Sequence, residues 1–259
     1  MSSIQAALSL PNIAEPPTLS PLEQEWAHSA PKRGRHMKNV KKLIGLALLA
    51  SAATVTTTGA ASAQEFSGNV ALTSNYVWRG VTQSDGDFAV QGGVDYTHGI
   101  FYAGVWASSV DDFGVDASSE LDAYFGITPS LGPVEFDLGV IGYFYPGASD
   151  EIDFTEIKLG ASYSPIEALS IAAAGYFSDD FGNTGNESVY LELGLGYTFN
   201  ETFSVSGAYG NQDIDGDDYD TWNLGASVAA YGFGFDLRYW DTDIEDADEE
   251  ISFTISREL

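Results

Sequence analysis

The sequence contains no cysteine and few basic residues. Only four of its 10 Lys and Arg residues follow residue 63, whereas 35 of its 38 Asp and Glu residues do. Without cysteine the chain cannot form disulfides or thiolate metal sites. The excess of carboxylates argues against the basic surface with which proteins bind nucleic acid. Neither nucleic-acid binding nor a cofactor is therefore expected.

Histidine is scarce as well, and this argues against catalysis. His98 is the only histidine after residue 63. Hydrolases of the Ser–His and Asp–His types need a histidine base within hydrogen-bond reach of its partner. His98 falls in a predicted tight turn, where a structural role is the usual one. We therefore do not expect an enzyme.

Long apolar runs are also missing, with one exception near the N-terminus. Residues 43–55 are mostly apolar, follow Lys38, Lys41 and Lys42, and precede the small-x-small sequence Ala61-Ser62-Ala63. This order is typical of a secretory signal peptide, and the run is too short for a comfortable membrane-spanning helix. We predict cleavage near Ala63; an uncleaved membrane anchor is the alternative.

The signal peptide divides the chain into three parts. Residues 1–36 are rich in proline and are interpreted as a disordered extension or a misassigned start, since Met37 stands where the signal peptide would begin. Residues 37–63 form the signal peptide. Residues 64–259 remain as a single exported domain.

After residue 63 the dominant feature is an alternation of apolar and polar residues. In residues 120–127, Leu121 and Phe125 share one face of an extended segment, while Glu120 and Asp122 share the other. Many such segments without helices between them are typical of an antiparallel transmembrane β-barrel whose apolar faces meet lipid. A soluble β-sandwich or lipocalin-like barrel, with the faces reversed, is the alternative.

Turn signals divide residues 64–259 into twelve predicted strands, an even number that places both ends of the domain on one side. The strands are predicted at 67–78, 88–97, 100–109, 119–128, 134–145, 154–163, 168–177, 188–198, 203–210, 220–229, 233–241 and 250–258. Ten strands are the alternative, if the second and third of these form a folded loop.

The connections between these strands alternate between short and long. Short turns are predicted on the periplasmic side and longer loops on the extracellular side. The long loops are predicted at 79–87, 110–118, 146–153, 178–187, 211–219 and 242–249. They hold 20 Asp and Glu residues, whereas the short turns hold only Glu167 and Glu201. None of the loops is long enough to predict a plug in the barrel.

Aromatic residues cluster near both ends of the strands, which predicts two girdles in the headgroup regions of the membrane. Those near the long loops are Tyr76, Trp78, Trp106, Tyr145, Phe177, Trp222 and Trp240. Those near the short turns are Tyr96, Phe101, Tyr163, Tyr197, Phe199, Phe203, Tyr231 and Phe233.

The acidic run at 213–220 is only weakly similar to a calcium loop. Its glycine stands at the fourth position rather than the sixth, and no glutamate occupies the twelfth. The weak candidate ligands are Asp213, Asp215, Asp217 and Asp218. A solvated acidic loop is one interpretation. The other is collective binding of Ca²⁺ or Mg²⁺ that bridges the loops to phosphates of neighbouring lipopolysaccharide.

The inward polar faces supply the candidate pore-lining residues. They are Arg79, Asp95, Glu120, Asp122, Glu135, Asp137, Glu156, Lys158, Glu192, Asp236 and Arg238. Carboxylates outnumber bases by eight to three in this set, so the pore is expected to prefer cations. The bases either form ion pairs that hold the strands in register or bind an anionic group of a passing solute.

Two functions fit this pattern. The first is a channel for passive diffusion of small hydrophilic solutes or cations. The second is a structural or surface-interaction barrel with a closed lumen and cation-binding acidic loops. Twelve strands lie between small filled barrels and large water-filled porins, so strand number does not separate the two functions. Neither specifies an oligomeric state.

One stretch of the sequence is similar to a known family. Residues 75–84, Asn-Tyr-Val-Trp-Arg-Gly-Val-Thr-Gln-Ser, with the segments 90–96 and 101–108 that follow, resemble the TorF-type porins. These form a proteobacterial family long described as conserved proteins of unknown function. The resemblance is strongest over residues 66–110. It implies an outer-membrane location in a Gram-negative bacterium and a channel role, and it supplies no substrate or catalytic residue.

Overall fold

The computed structural model of the protein describes residues 64–259. The predicted signal peptide and the N-terminal extension lie outside these residues. In chain order the strands are β1 (Gln64–Thr73), β2 (Val77–Trp78), β3 (Val81–Thr82), β4 (Ala89–His98), β5 (Phe101–Ser109), β6 (Ser119–Ile127), β7 (Ser130–Leu131), β8 (Val134–Phe144), β9 (Phe154–Ile166), β10 (Leu169–Ser178), β11 (Ser188–Thr198), β12 (Phe203–Ile214), β13 (Asp217–Ala230), β14 (Phe233–Thr242) and β15 (Glu250–Glu258). Within the described residues, a single 3₁₀ turn spans Phe181–Asn183. No helix in this part of the chain is long and apolar enough to cross a membrane.

The twelve long strands form one closed antiparallel sheet. Each pairs with its neighbours in the chain, β6 pairs with β8 across the short β7, and β1 pairs with both β4 and β15. The contact between β1 and β15 joins the first long strand to the last, with Asn69 opposite Glu258. Closure leaves no unpaired strand edge, as lipid requires. The predicted twelve-stranded antiparallel barrel is confirmed.

The alternation of residues fixes which face of each strand points outward. Leu193, Leu224 and Leu237 are 42%, 58% and 56% exposed, whereas the polar Glu156 and Arg238 are buried. The apolar faces therefore form the outer surface and the polar faces the interior. This excludes the alternative of a soluble barrel with an apolar core.

The two ends of the barrel differ. At one end, which we call the turn end, lie the short connections of two to six residues. The first and last residues of the described chain lie at this same end. At the other, the loop end, lie the connections 74–88, 110–118, 145–153, 179–187, 215–216 and 243–249.

The predicted boundaries of three strands are wrong. β1 ends at Thr73 rather than at residue 78, because the chain leaves the barrel wall there and enters the interior. The predicted loop 211–219 is mostly strand, since β12 and β13 continue to a two-residue turn at Asp215-Gly216. Both turn residues have positive φ, 52° and 89°, which is the geometry that closes a tight β-hairpin.

The aromatic girdle is present as predicted only at the turn end. There Phe101, Tyr163, Phe199 and most of their predicted partners point outward and are exposed. At the loop end Phe177 and Trp222 are exposed. The other predicted members, Tyr76, Trp78, Trp106, Tyr145 and Trp240, pack against interior or loop residues instead. Their prediction as lipid-facing residues is therefore wrong.

Candidate functional site

The connection between β1 and β4, residues 74–88, folds into the barrel at the loop end; we call it the inner segment. Its entry is fixed by a hydrogen bond from the Ser74 amide to the Phe253 carbonyl, 2.9 Å, and by one from Asn75 Nδ2 to Glu250 Oε2, 2.6 Å. The segment then forms the small β2–β3 hairpin, which turns at Arg79 and Gly80 with φ of 49° and 84°. No loop was expected to be long enough to form a plug, yet the polar groups of this segment find partners inside the barrel.

Arg79 is the tip of the inner segment and makes a buried ion pair with the barrel wall. Its Nη1 and Nη2 donate to the two carboxylate oxygens of Glu156 on β9, at 2.8 and 2.7 Å. Nη1 also donates to Gln212 Oε1 on β12, at 2.9 Å. Glu156 is 0% exposed and Arg79 6%. A bidentate pair of this kind is both strong and directional.

Aromatic rings surround the Arg79 guanidinium. Its central carbon lies 4.1 Å from the ring centroid of Trp78, 4.2 Å from that of Tyr190 and 5.0 Å from that of Tyr176. Cations are attracted to the faces of such rings, most strongly where water is excluded. The Tyr143 hydroxyl completes the site by donating to Glu156 Oε2 at 3.0 Å.

The inner segment also contacts β13 of the barrel wall. The Tyr219 hydroxyl on β13 donates to the Arg79 carbonyl at 3.2 Å. Gly80 lies against Thr221, also on β13, so closely that a Cβ at residue 80 would overlap the threonine side chain. Trp78 stacks on Phe181 with ring centroids 6.1 Å apart. The segment thus extends across the interior from β1 to strands β9–β13 and narrows it.

The other two predicted basic residues also form ion pairs with interior carboxylates. Lys158 Nζ lies 2.6 Å from Asp137 Oδ2, and the Arg238 Nη2 atom lies 3.2 Å from Asp236 Oδ2. Arg238 in addition donates to Asn223 Oδ1 at 2.6 Å. Each of these two bases therefore links neighbouring strands.

Glu120 and Asp122 form an acidic pair on the interior face of β6. The Tyr76 hydroxyl of the inner segment lies 3.4 Å from Glu120 Oε1. Burial, and the nearby charges of Glu120 and Asp122, raise the pKa of Tyr76 well above its usual value, so the phenol stays protonated as a donor. Glu120 Oε2 and Asp122 Oδ1 are buried without a hydrogen-bond partner among the described residues.

The remaining candidate residues are Asp95, Glu192 and Glu135, which lie farther from the loop end than the Glu120–Asp122 pair or elsewhere on the wall. The Tyr124 hydroxyl donates to Asp95 at 2.5 Å, and the Tyr190 hydroxyl donates to Glu192 at 2.5 Å. Glu135 is exposed near the turn end, opposite Ser130 of β7.

Sequence reasoning missed the interior tyrosines. Tyr102, Tyr124, Tyr143 and Tyr190 each donate to an interior carboxylate. Several of their rings lie flat over glycines of adjacent strands; Tyr124, for example, covers the place that a side chain at Gly104 would occupy. The sequence signal that could have found them is a tyrosine at an inward-facing strand position, opposite an inward-facing glycine on the paired strand.

The four weak candidate metal ligands lie on the β12–β13 hairpin. Asp213 is opposite Asp218, and its carboxylate accepts a hydrogen bond from the Gly216 amide at 3.0 Å. Among residues 64–259 no group of three or more His, Cys, Asp or Glu side chains is arranged to hold a metal ion. The hairpin geometry spreads these carboxylates along two strands rather than around a centre.

Comparison with solved structures identifies the fold. The KdgM porin matches with a TM-score of 0.52 at 10% identity, over 74% of this chain and 98% of that one. The KdgM porin in complex with disordered oligogalacturonate gives 0.53 at 7% identity, over 76% and 98%. The NanC porin gives 0.50 at 9% identity, over 74% and 98%. The barrel therefore has the fold of outer-membrane porins.

Sequence comparison places the chain in a family. Residues 57–258 match the family described as bacterial protein of unknown function (Gcw_chp), and the chain belongs to that family. A comparison with curated protein sequences gives no match.

Proposed function

We propose that the protein is an outer-membrane channel of the porin type, through which small hydrophilic solutes diffuse passively with a preference for cations. The observation that carries this proposal is a closed barrel with an apolar outer surface and an interior lined by carboxylates. Rings of carboxylates favour cations, and a low-dielectric wall strengthens their field.

The arrangement of charges supports the cation preference. The three interior bases each pair with one carboxylate. Asp95, Glu120, Asp122 and Glu192 have no base within salt-bridge distance among the described residues. No ion pair among residues 64–259 therefore neutralises these four carboxylates.

The location follows from the same features. The signal peptide would export the chain, the porin-like barrel would insert in the outer membrane, and the acidic loop end would face outward. The resemblance of residues 66–110 to TorF-type porins supports this assignment. Enzymatic activity is not part of the proposal.

The acidic loops are proposed to bind divalent cations collectively, next to lipopolysaccharide phosphates. Anionic loops beside an anionic leaflet repel each other unless cations lie between them. Calorimetry with magnesium on wild type and on a variant with Asp213, Asp215, Asp217 and Asp218 changed to Asn tests this role. A smaller heat of binding in the variant is expected, and identical isotherms would remove the β12–β13 hairpin from the proposal.

A structural barrel with a closed lumen is the second candidate. The inner segment favours it, because that segment crosses the interior and is bonded to β9 and β13 of the barrel wall. A purely structural barrel gives no ion current, whereas a channel gives discrete openings of reproducible size in a planar bilayer.

Reversal potentials in a salt gradient test the proposal. We expect wild type to select cations, and a variant with Glu120, Asp122, Glu135 and Asp137 changed to Gln or Asn to lose much of that selectivity. The matched control is the variant with four loop aspartates changed to Asn, which alters the formal charge equally but outside the lumen. Anion selectivity of wild type, or equal selectivity in both variants, would contradict an acidic pore.

A further inference from the structure

We propose that the site occupied by Arg79 is a binding site for solutes that carry a guanidinium group, and that Arg79 is its internal occupant. The site, which we call the wall pocket, is formed by Glu156, Gln212, Tyr143, Tyr176 and Tyr190, all on barrel strands. The inference rests on the proposed channel function, because the solute reaches the pocket through the lumen.

The polar groups of the wall pocket match a guanidinium in shape and charge. The Glu156 carboxylate accepts two nearly parallel hydrogen bonds, at 2.8 and 2.7 Å, and Gln212 Oε1 accepts a third at 2.9 Å. Gln212 is held by its own bond from Nε2 to Ser188 Oγ, 2.6 Å, so its carbonyl oxygen points at the ligand. A planar fork of donors satisfies these acceptors, whereas an ammonium ion cannot form the same bidentate contact.

The tyrosines of the wall pocket supply the apolar part of the recognition. The faces of Tyr190 and Tyr176 lie 4.2 and 5.0 Å from the guanidinium carbon. Tyr143 donates to Glu156 and so orients the carboxylate. These three residues belong to β8, β10 and β11, whose register the closed sheet fixes. The sheet, and not the inner segment, therefore sets the positions of these wall residues.

Because Glu156 is buried, Arg79 can leave the wall pocket only if another cation takes its place. Glu156 is 0% exposed, and a buried carboxylate without a counter-charge is strongly unfavourable. The next inward base on β9, Lys158, is already paired with Asp137 at 2.6 Å. A cationic solute that enters the pocket provides the missing charge, and the inner segment is then free to leave the lumen.

The predicted consequence is exchange between an internal and an external ligand. A guanidinium solute would displace Arg79, release the inner segment and widen the passage. Such a solute would thus open its own path through the barrel.

Binding of methylguanidinium to the Arg79→Ala variant tests the proposal, with methylammonium as the matched control ligand. Calorimetry on detergent-solubilised protein should show methylguanidinium binding to Arg79→Ala at least about tenfold more tightly than methylammonium. Wild type should bind it at least about tenfold more weakly, because Arg79 competes for the site. The double variant Arg79→Ala/Glu156→Gln should lose the binding. Absence of binding to folded Arg79→Ala, or equal binding in the double variant, would overturn the proposal.

Hydrogen exchange on wild type covers the case in which Arg79→Ala does not fold. Saturating methylguanidinium should increase exchange of the backbone amides of residues 76–83 relative to methylammonium at the same ionic strength. Equal exchange with the two ligands would overturn the proposal. Binding of methylguanidinium to a barrel that gives no ion current would support the wall pocket and contradict the channel function, so the two failures are distinguishable.

Discussion

At the scale of single residues, Arg79 and Glu156 form the contact that holds the tip of the inner segment against the barrel wall. The two are 77 positions apart in the chain, and the bidentate geometry satisfies both carboxylate oxygens. A buried ion pair contributes little net stability. The loss of one partner, however, leaves an unpaired buried charge that strongly lowers the free energy of unfolding.

We expect Glu156→Gln to lower the free energy of unfolding by about 3–5 kcal/mol, since the buried Arg79 guanidinium loses its charged partner. Urea unfolding in lipid vesicles, followed by tryptophan fluorescence, measures the change. The control is Glu135→Gln, which removes an exposed carboxylate and should change the value by less than about 0.5 kcal/mol. Equal effects of the two substitutions would mean that the ion pair has no energetic role.

The orientation of the strand faces gives a second prediction at this scale. Leu193 is 42% exposed on the outer surface, whereas its neighbour Glu192 faces the interior. Leu193→Arg should lower the free energy of unfolding by about 2–4 kcal/mol, because it places a charge in the lipid-facing band. Glu192→Arg should retain most of the folding yield, measured by the heat-dependent gel shift of the folded barrel. Normal folding of Leu193→Arg together with failure of Glu192→Arg would reverse the assignment of faces.

At the scale of elements, alternation and turn signals were sufficient to predict nine of the twelve long strands closely. They placed β6 and β11 within one residue of their ends because outward and inward residues meet such different environments. They failed for β1, since Tyr76, Val77 and Trp78 are residues that favour strands although the chain has already left the wall. The strands β12 and β13 were predicted too short, because their acidic residues are typical of a loop. In the structure the hairpin continues beyond the apolar band.

The inner segment could not be predicted in this way. Its partners Glu156, Gln212 and Tyr219 lie on three different strands far along the chain, and nothing local in the sequence pairs them with Arg79. The inward direction of the candidate carboxylates follows from the two-residue period, whereas the identity of each ion pair depends on barrel closure and register. The tyrosine donors were missed for the same reason.

Two glycines of the inner segment allow its packing to be tested. Gly80 and Gly86 both have positive φ, 84° and 77°, but only Gly80 lies against the wall, at Thr221; a Cβ at Gly86 would meet no atom within 4 Å. Gly80→Ala should therefore dislodge the segment, whereas Gly86→Ala should add only backbone strain of about 1 kcal/mol. Limited proteolysis within residues 74–88 reports the difference, with faster cleavage expected in Gly80→Ala. Equal cleavage rates would contradict the packing of the hairpin on β13.

At the scale of the whole molecule, the barrel combines a lipid-facing surface with an acidic interior that one connection narrows. The twelve strands provide the wall, the three ion pairs brace it, and the inner segment occupies the loop end. The water-filled volume of such a barrel depends on strand number and also on the space that the inner segment occupies.

Single-channel recording in a planar bilayer tests this account most directly, with wild type compared against a variant whose residues 77–82 are replaced by a Gly-Ser linker. The linker retains the length of the connection and removes Trp78, Arg79 and their contacts with the wall. We predict discrete openings in both proteins, cation selectivity in both, and a conductance at least about twofold larger in the variant. Silent bilayers for both proteins, or the same conductance in both, would contradict a channel narrowed by this segment.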